Sequence, residues 1–310
     1  MTNNSFKCGF VTLAGRTNIG KSTLLNQIMQ TEIAIATHKP QTTRHLIKAI
    51  YQDEESQIIF IDSPGMHIAT DQLGRNMRKA ASVAIQETDI VVLMIDARSE
   101  FEINKIEKQI IDLAISSKIN LILAINKIDL VTKSRILPLI REYVSYADFK
   151  AVVPISAKYN DGIDLLLAEI KNILPINSPL IVDGSYTDQT EKILAAEYIR
   201  AEIIDQISDE IPYGVAIKIE EFNEIFNLDN KRERVQIHAA IFVEQENHKM
   251  ILLGKNGRQI VALGKASRKR ISEMLDCPCD LMLFVKVRTD WRNKYSQLKE
   301  LGYSSQDLSL

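Results

Sequence analysis

The sequence predicts an α/β unit, with a mostly parallel sheet covered by helices on both faces, followed by a smaller α+β unit. Three observations carry this. Continuous apolar, β-rich runs (FVTLA, IIFID, VVLMID, LILAIN, AVVPIS) recur through the first 160 residues and alternate with stretches of helical spacing such as NMRKAASVAIQET and EKQIIDLAISS. Strands buried on both faces read as such unbroken runs. PINSPLIVDGS, Pro175 to Ser185, then has the proline and polar turn residues of a linker. Beyond it the pattern changes to one long helix, strands and a further helix, too short for a second doubly wound sheet. We therefore divide the 310 residues into a unit at 1–176, a linker at 177–186 and a second unit at 187–310.

In chain order, the strand CGFVTLA runs into GRTNIGKST and then into LLNQIM, which has helical spacing. A strand-to-helix loop with glycines at both ends exposes consecutive backbone N–H groups, and the helix dipole reinforces them, so the loop wants an anion. Gly15, Gly20, Lys21 and Ser22 fit G-x-x-x-x-G-K-[ST], in which the lysine reaches β/γ-phosphate oxygens and the hydroxyl meets Mg²⁺. The loop alone does not choose ATP or GTP. QTTRH precedes the strand HLIKAIYQ, and IIFIDSPG ends a strand on Asp62, a candidate to hold Mg²⁺ through water, with Gly65 offering an N–H to a γ-phosphate. Asn126, Lys127 and Asp129 follow LILA in NKID. An Asp carboxylate accepts from both N1–H and the 2-amino group of guanine, a pair adenine lacks, so it discriminates as well as binds. ISAK ends the next strand, where the Ala157 N–H is placed to meet guanine O6 and Lys158 to cover the base. Ligands of open parallel sheets collect at the C-terminal strand ends, where GRTNIGKST, DSPG, NKID and ISAK sit. Four of them in order predict GTP binding. The helix GIDLLLAEIKNIL closes the unit.

The remaining numbers bound the partners. The composition, 45% hydrophobic and 25% charged, is that of an ordinary soluble protein, no apolar stretch approaches bilayer length, and MTNNSFK lacks a secretory pattern, so a cytoplasmic location is expected. Cys8, Cys277 and Cys279 cannot build a disulfide framework or a four-thiolate site, and CPC is read as packing. The net charge of −2 hides an asymmetry: residues 249–310 hold 12 Lys/Arg against 6 Asp/Glu, leaving 26 against 34 for residues 1–248. A basic end on an acidic body suggests a polyanion docking there.

In the second unit we expect the helix DQTEKILAAEYIRAEIIDQI, the strands YGVAIKIEEF and VQIHAAIFVE, a third strand ending HKMILLG, a helix from about Arg258 and the strand LMLFVKVR. Gly254-Lys255-Asn256-Gly257 matches the G-x-x-G loop of KH domains, where two glycines let the chain approach closely and the residues between grip the backbone of about four unpaired nucleotides. Arg258, Lys265, Arg268, Lys269 and Arg270 follow it. Trp291 is read either as a base-stacking residue or as packing.

GRTNIGKST, QTTRH, DSPG, NKID, ISAK and GKNG together resemble the Era family of translation-factor-related GTPases, and the resemblance spans essentially the whole chain. It implies a P-loop GTPase domain followed by a type II KH domain. Nucleotide contacts would fall to Gly15, Arg16, Thr17, Asn18, Ile19, Gly20, Lys21, Ser22 and Thr23, to Asp62, Ser63, Pro64 and Gly65, to Asn126, Lys127 and Asp129, and to Ser156, Ala157 and Lys158. Thr17 stands where the family usually has proline, a change in loop stiffness. Mg²⁺ would be met by Ser22, Asp62 and Thr43, with Thr42 the competing threonine. RNA contacts would fall to Gly254, Lys255, Asn256, Gly257, Arg258, Lys265, Arg268 and Lys269. The implied target is the 3′ end of 16S ribosomal RNA in 30S subunit assembly, by a monomer, with a further implied contact at the inner membrane face, where a basic end can meet anionic lipid.

Catalysis is expected to rest on Lys21, Thr43, Gly65 and Asn18. Many GTPases orient the attacking water with a glutamine just after the DxxG glycine; Met66 stands there and can do neither half of that work, so intrinsic turnover should be slow. His67 is one substitute. Asn18 is another: in related GTPases an asparagine here binds K⁺ with switch carbonyls, supplying charge where an arginine finger would. Two other readings stand against the GTPase switch: an RNA-processing or RNA-modifying P-loop enzyme, for which no nuclease carboxylate cluster, catalytic Cys/His pair or methyl-donor loop is found, and an ATP-driven phosphotransferase, which NKID opposes.

Overall fold

The computed structural model describes residues 6–34, 43–66, 69–181, 187, 190–207, 211–304 and 307–308. Thr42 and His67, and residues 182–186 of the expected linker, lie outside them.

The first unit alternates strands and helices: β1 (Lys7–Gly15), α1 (Lys21–Met29), β2 (Ile47–Gln52), β3 (Ser56–Asp62), α2 (Gln72–Gln86), β4 (Ile90–Asp96), α3 (Lys105–Ser116), β5 (Asn120–Asn126), α4 (Ile136–Tyr146), β6 (Ala151–Pro154) and α5 (Ile163–Ile173). Its sheet has the order β2-β3-β1-β4-β5-β6, parallel except for the edge strand β2, which runs antiparallel to β3. A tight connection from Gln52 to Ser56 makes that reversal possible, with Asp53 Oδ1 accepting from the Glu55 and Ser56 N–H groups at 3.0 and 2.9 Å. The central strands are buried on both faces, as their unbroken apolar runs require: β3 and the first six residues of β4 are buried throughout. One core layer, containing Leu24, Ile28, Leu166 and Ile170, covers one face, and another, containing Ile85, Ile110, Ile111 and Leu139, covers the other. Four of the five parallel strands deliver the candidate loops to one sheet edge.

The segment after α5 does not swing free. The Cys8 N–H donates to Pro175 O at 3.1 Å, and Gln57, fully buried, receives the Leu180 and Ile181 N–H groups on Oε1 while its amide donates to Ile181 O. An interior glutamine thus satisfies three backbone groups of this segment.

The second unit comprises α6 (Glu191–Gln206), β7 (Ala216–Phe226), β8 (Arg232–Val243), α7 (Glu246–Leu253), α8 (Arg258–Leu275), β9 (Cys279–Val287) and α9 (Tyr295–Glu300). Its sheet has the order β7-β8-β9, with β7 antiparallel and β9 parallel to β8. Inward-facing Val235, Ile237, Ala239 and Ile241 alternate along β8 and pack with Ile199, Ile203, Leu263 and Ile271 of α6 and α8. Cys277 and Cys279 belong to this core, and all three cysteines are free.

The expectation of a strand ending HKMILLG is overturned: those residues form helix α7. Four consecutive apolar residues cannot by themselves distinguish strand from helix. In the folded chain only Leu252 of α7 is buried, joining the second core, while Met250 and Ile251 point outward.

A further cluster joins the units, with Leu46, Leu73, Met77 and Ala80 of the first meeting Phe242, Trp291, Leu301 and Tyr303 of the second. Trp291 is fully buried there, its Nε1 donating to Gly214 O at 3.0 Å, which selects packing over base stacking.

Candidate functional site

The loop between β1 and α1 is held in shape by atoms of other loops. Gly20, at φ 98°, lies in the left-handed region that favours glycine, and a Cβ there would overlap the Asn126 amide nitrogen. That amide donates to Ile19 O at 2.7 Å, while its Oδ1 accepts from the Ala157 N–H at 3.0 Å. Asn126, 2% exposed, therefore ties the loop after β1 to the loops after β5 and β6. Lys127 adds a second tie: its Nζ donates to Asn18 O at 2.6 Å and pairs with Asp96 at 2.9 Å. Asp129 Oδ1 receives the Ser156 hydroxyl at 2.6 Å, which orients the exposed carboxylate. Lys158 lies over the Tyr159 ring at 5.0 Å.

The Ala157 N–H, the candidate donor to guanine O6, is given to Asn126 Oδ1 in this structure. Ile19 contributes backbone only, its side chain lying in the core, and the Ser63 hydroxyl is committed to Leu13 O at 2.9 Å. Arg16 and Asn18 are exposed, Thr17 and Thr23 half-buried, and Pro64 buried.

Lys21 is 6% exposed and its Nζ donates to Arg16 O at 3.2 Å. Burial pushes the Lys21 ammonium below its ordinary range, partly opposed by attraction to Asp62; burial pushes the Asp62 carboxyl up, partly opposed by Lys21, Ser22 and Thr43. A polyphosphate against Lys21 and a cation against Asp62 would favour both charged forms. The Ser22 hydroxyl donates to Asp62 Oδ2 at 2.6 Å, and Thr43 Oγ1 stands 3.0 Å from Ser22 Oγ and 3.5 Å from Asp62 Oδ2. Asp62 Oδ1 is buried and has no hydrogen-bond partner among the described residues. Two hydroxyls and a carboxylate with an unsatisfied buried oxygen form a hard-oxygen set, and these residues fit Mg²⁺.

Gly65 lies against the same loop. A Cβ on it would come within 2.7 Å of Thr17 Cγ2 and 2.9 Å of Thr17 Cα. The next N–H, of Met66, donates to Gly15 O at 3.1 Å, and the Met66 side chain is buried with Ala14, Ala81 and Ile85. A core position explains the apolar residue, since a glutamine amide there would lose its hydrogen bonds.

Sequence reasoning missed Asp96. Arg98 donates to both its oxygens, at 3.0 and 2.7 Å, and Lys127 pairs with Oδ2, so although burial acts to raise it, these cations hold its carboxyl well below the usual range. The signal was present, because VVLMID ends on an acid at the same sheet edge as the other motifs.

At the basic end, Gly254–Gly257 forms a tight turn between α7 and α8, with Asn256 at φ 54°. Lys255, Asn256, Arg258, Lys265, Arg268 and Lys269 are exposed. Arg270 differs from them: it pairs with Glu202 at 3.2 Å and with Glu32 of the first unit, and lies over the Tyr198 ring. Met250, Ile251 and Val261 add exposed apolar surface beside the turn. Among the described residues, no helix is long and apolar enough to cross a membrane.

Comparison with known proteins agrees with both halves. The family described as 50S ribosome-binding GTPase matches residues 10–127, and the KH domain family matches residues 210–292. GTPase Era of Ruminiclostridium cellulolyticum is 40% identical over 306 residues, covering 97% of this chain and 99% of that protein. The crystal structure of an Aquifex aeolicus Era variant bound to GDP and AlF₄⁻ superposes with a TM-score of 0.90 at 33% identity, over 96% of this chain and 100% of the other. That of Era in complex with MgGDPNP and nucleotides 1506–1542 of 16S ribosomal RNA also gives 0.90 at 33% identity, over 96% and 99%. With a P-loop GTPase unit, a KH unit and relatives alike over nearly the whole length, the chain belongs to the Era family of GTPases.

Proposed function

We propose that this protein binds GTP in the loops after β1, β3, β5 and β6, hydrolyses it slowly to GDP and phosphate, and binds the 3′ end of 16S ribosomal RNA on its KH unit as a switch in 30S subunit assembly. The observation that carries the reading is the double tie from the base loop to the phosphate loop, Asn126 to Ile19 O and Lys127 to Asn18 O. One rigid body then grips both ends of the nucleotide. Its relatives' complexes with GDP·AlF₄⁻, MgGDPNP and the RNA fragment support the same reading.

In this reading Asp129, oriented by Ser156, accepts from guanine N1–H and the 2-amino group. Lys21 neutralises β/γ oxygens, and the N–H groups from Gly15 to Thr23 wrap the phosphates. Ser22, Thr43 and Asp62 would hold Mg²⁺, which when bound offsets charge on the transferring phosphoryl group. The Gly65 N–H faces the γ-phosphate. Met66 offers no water-orienting group, so turnover is slow unless Asn18 and switch carbonyls hold K⁺ beside the phosphates. The Gly254–Gly257 turn grips the RNA backbone, Lys255, Arg258, Lys265, Arg268 and Lys269 supply positive charge, and Met250, Ile251 and Val261 give bases an apolar surface. The protein acts as a cytoplasmic monomer, and its basic end can meet anionic lipid at the inner membrane face.

Calorimetry with GTP and ATP tests the first half: heat with GTP and none with ATP is expected, and the reverse removes the reading. RNA affinity measured with a GTP analogue and with GDP should differ, and equal values would oppose a switch. Hydrolysis should fall sharply when Na⁺ replaces K⁺; equal rates exclude the K⁺ role.

A further inference from the structure

Thr43 and Arg44 are neighbours committed to different units. The Thr43 hydroxyl stands at Ser22 and Asp62, in the candidate Mg²⁺ set. Arg44 is 1% exposed, and its Nη1 donates to Val215 O of the second unit at 2.6 Å. Its guanidinium carbon lies 5.9 Å from the Trp291 ring centre and 5.7 Å from that of Tyr303. Burying a cation this completely is costly unless its donors are met, and a carbonyl and two aromatic faces do part of that here. The enclosure is itself braced. Trp291 Nε1 donates to Gly214 O, next to the carbonyl Arg44 uses, and Asn76 of α2 donates to Tyr303 O at 2.9 Å. Helix α2 follows the DSPG loop, so the elements flanking both nucleotide-facing loops grip one C-terminal segment.

Consecutive Cα atoms are about 3.8 Å apart, so anchoring residue 44 leaves Thr43 little freedom beyond its own dihedrals. We propose that Arg44 is a positioning residue for GTP hydrolysis: lodged between Val215, just before β7, and the C-terminal segment of the RNA-binding unit, it holds Thr43 in the metal set, so that the second unit completes the hydrolytic centre of the first. This rests on the reading above that Thr43 meets Mg²⁺.

The test uses the full chain and three variants, Arg44→Ala, Arg44→Lys and Thr43→Ala, with the Mg²⁺ concentration giving half-maximal single-turnover GTP hydrolysis as the readout. That midpoint should rise about tenfold or more in Arg44→Ala, the change expected when a hydrogen bond to a charged group is lost. Arg44→Lys, which keeps the charge and one donor, should fall between it and the native protein, and GDP affinity without Mg²⁺ should stay within about threefold of native in both. A merely structural role would lower the melting temperature and leave the midpoint in place. If Arg44→Ala does not fold, Trp291→Phe carries the test, because it keeps an aromatic face and deletes the Nε1 bond to Gly214; its midpoint should also rise. A folded Arg44→Ala or, failing that, Trp291→Phe with a native midpoint, beside a raised one in Thr43→Ala, overturns this proposal alone. A native midpoint in Thr43→Ala removes the Mg²⁺ assignment and the proposal with it.

Discussion

Replacing Gly20 with alanine tests how the phosphate loop is held. The new methyl overlaps the Asn126 amide nitrogen, and the residue must keep a φ near 98°, a region L side chains rarely adopt. The backbone strain is about 1–2 kcal/mol. Displacing Asn126 breaks its 2.7 Å bond to Ile19 O and leaves a buried amide unmatched, about 1–3 kcal/mol more. The free protein can relax the loop out of place, so binding must restore it against about 2–5 kcal/mol in total, weakening GDP and GTP roughly 30- to 4,000-fold. Fluorescent GDP titration measures this, alongside a melting curve showing that the variant folds. Adding Asn126→Ala to Gly20→Ala should cost much less than it does in the native background, because the tie is already broken. Native affinity in Gly20→Ala, or fully additive losses in the double variant, would refute the idea that one amide joins the two loops.

Asp129→Asn should lose roughly 100-fold or more in GTP affinity, two hydrogen bonds to a charged acceptor being weakened, and should gain affinity for xanthosine triphosphate, whose 2-oxo group accepts from the new amide; competition binding reads both. Charge reversal at Lys255 or Lys265 should weaken RNA binding across sequences and flatten the slope of log affinity against log salt by about 0.7 per lost phosphate contact, as read by anisotropy over a salt series. Glu197 is buried, which by itself raises its pKa, but Arg200 and His45 outweigh burial and lower it from 4.5 to about 2. A depressed carboxyl stabilises the fold above its unfolded value and loses that contribution as pH falls through its folded one, so this part of the domain contact weakens from pH 4.5 toward 2. The single tryptophan, Trp291, sits at that contact, so its emission should shift red across this window, and Glu197→Gln should lose the transition; an unchanged profile would remove Glu197 as its source.

The motifs at the strand ends were legible because each is a short run whose chemistry is complete in itself. Gly20 needs a positive φ, an Asp carboxylate in NKID can by itself accept from the two donors of a guanine edge, and Ser22 needs only its place at the helix start. The GKNG turn was legible for the same reason, but the element before it was misread. MILL is too short to reveal a period, and helix α7 is decided by where Leu252 packs. Arg270 reads in the sequence as one more cation of a basic helix; in the fold Glu202 and Glu32 claim it, and nothing local to KASRKRISEML encodes them.

The chain's linear order determined the two units, the guanine-nucleotide motifs and the basic KH end, since these depend on periodicity and on residue types a few positions apart. Tertiary structure alone decided that Ala157 braces Asn126, that Asp96 locks Lys127, that Trp291 is packed between units, and that Arg44, the neighbour of Thr43, donates to Val215, 171 positions away. The reason is range: a hydrogen bond or a desolvated charge depends on atoms within a few ångströms in space, and separation along the chain says almost nothing about which atoms those will be.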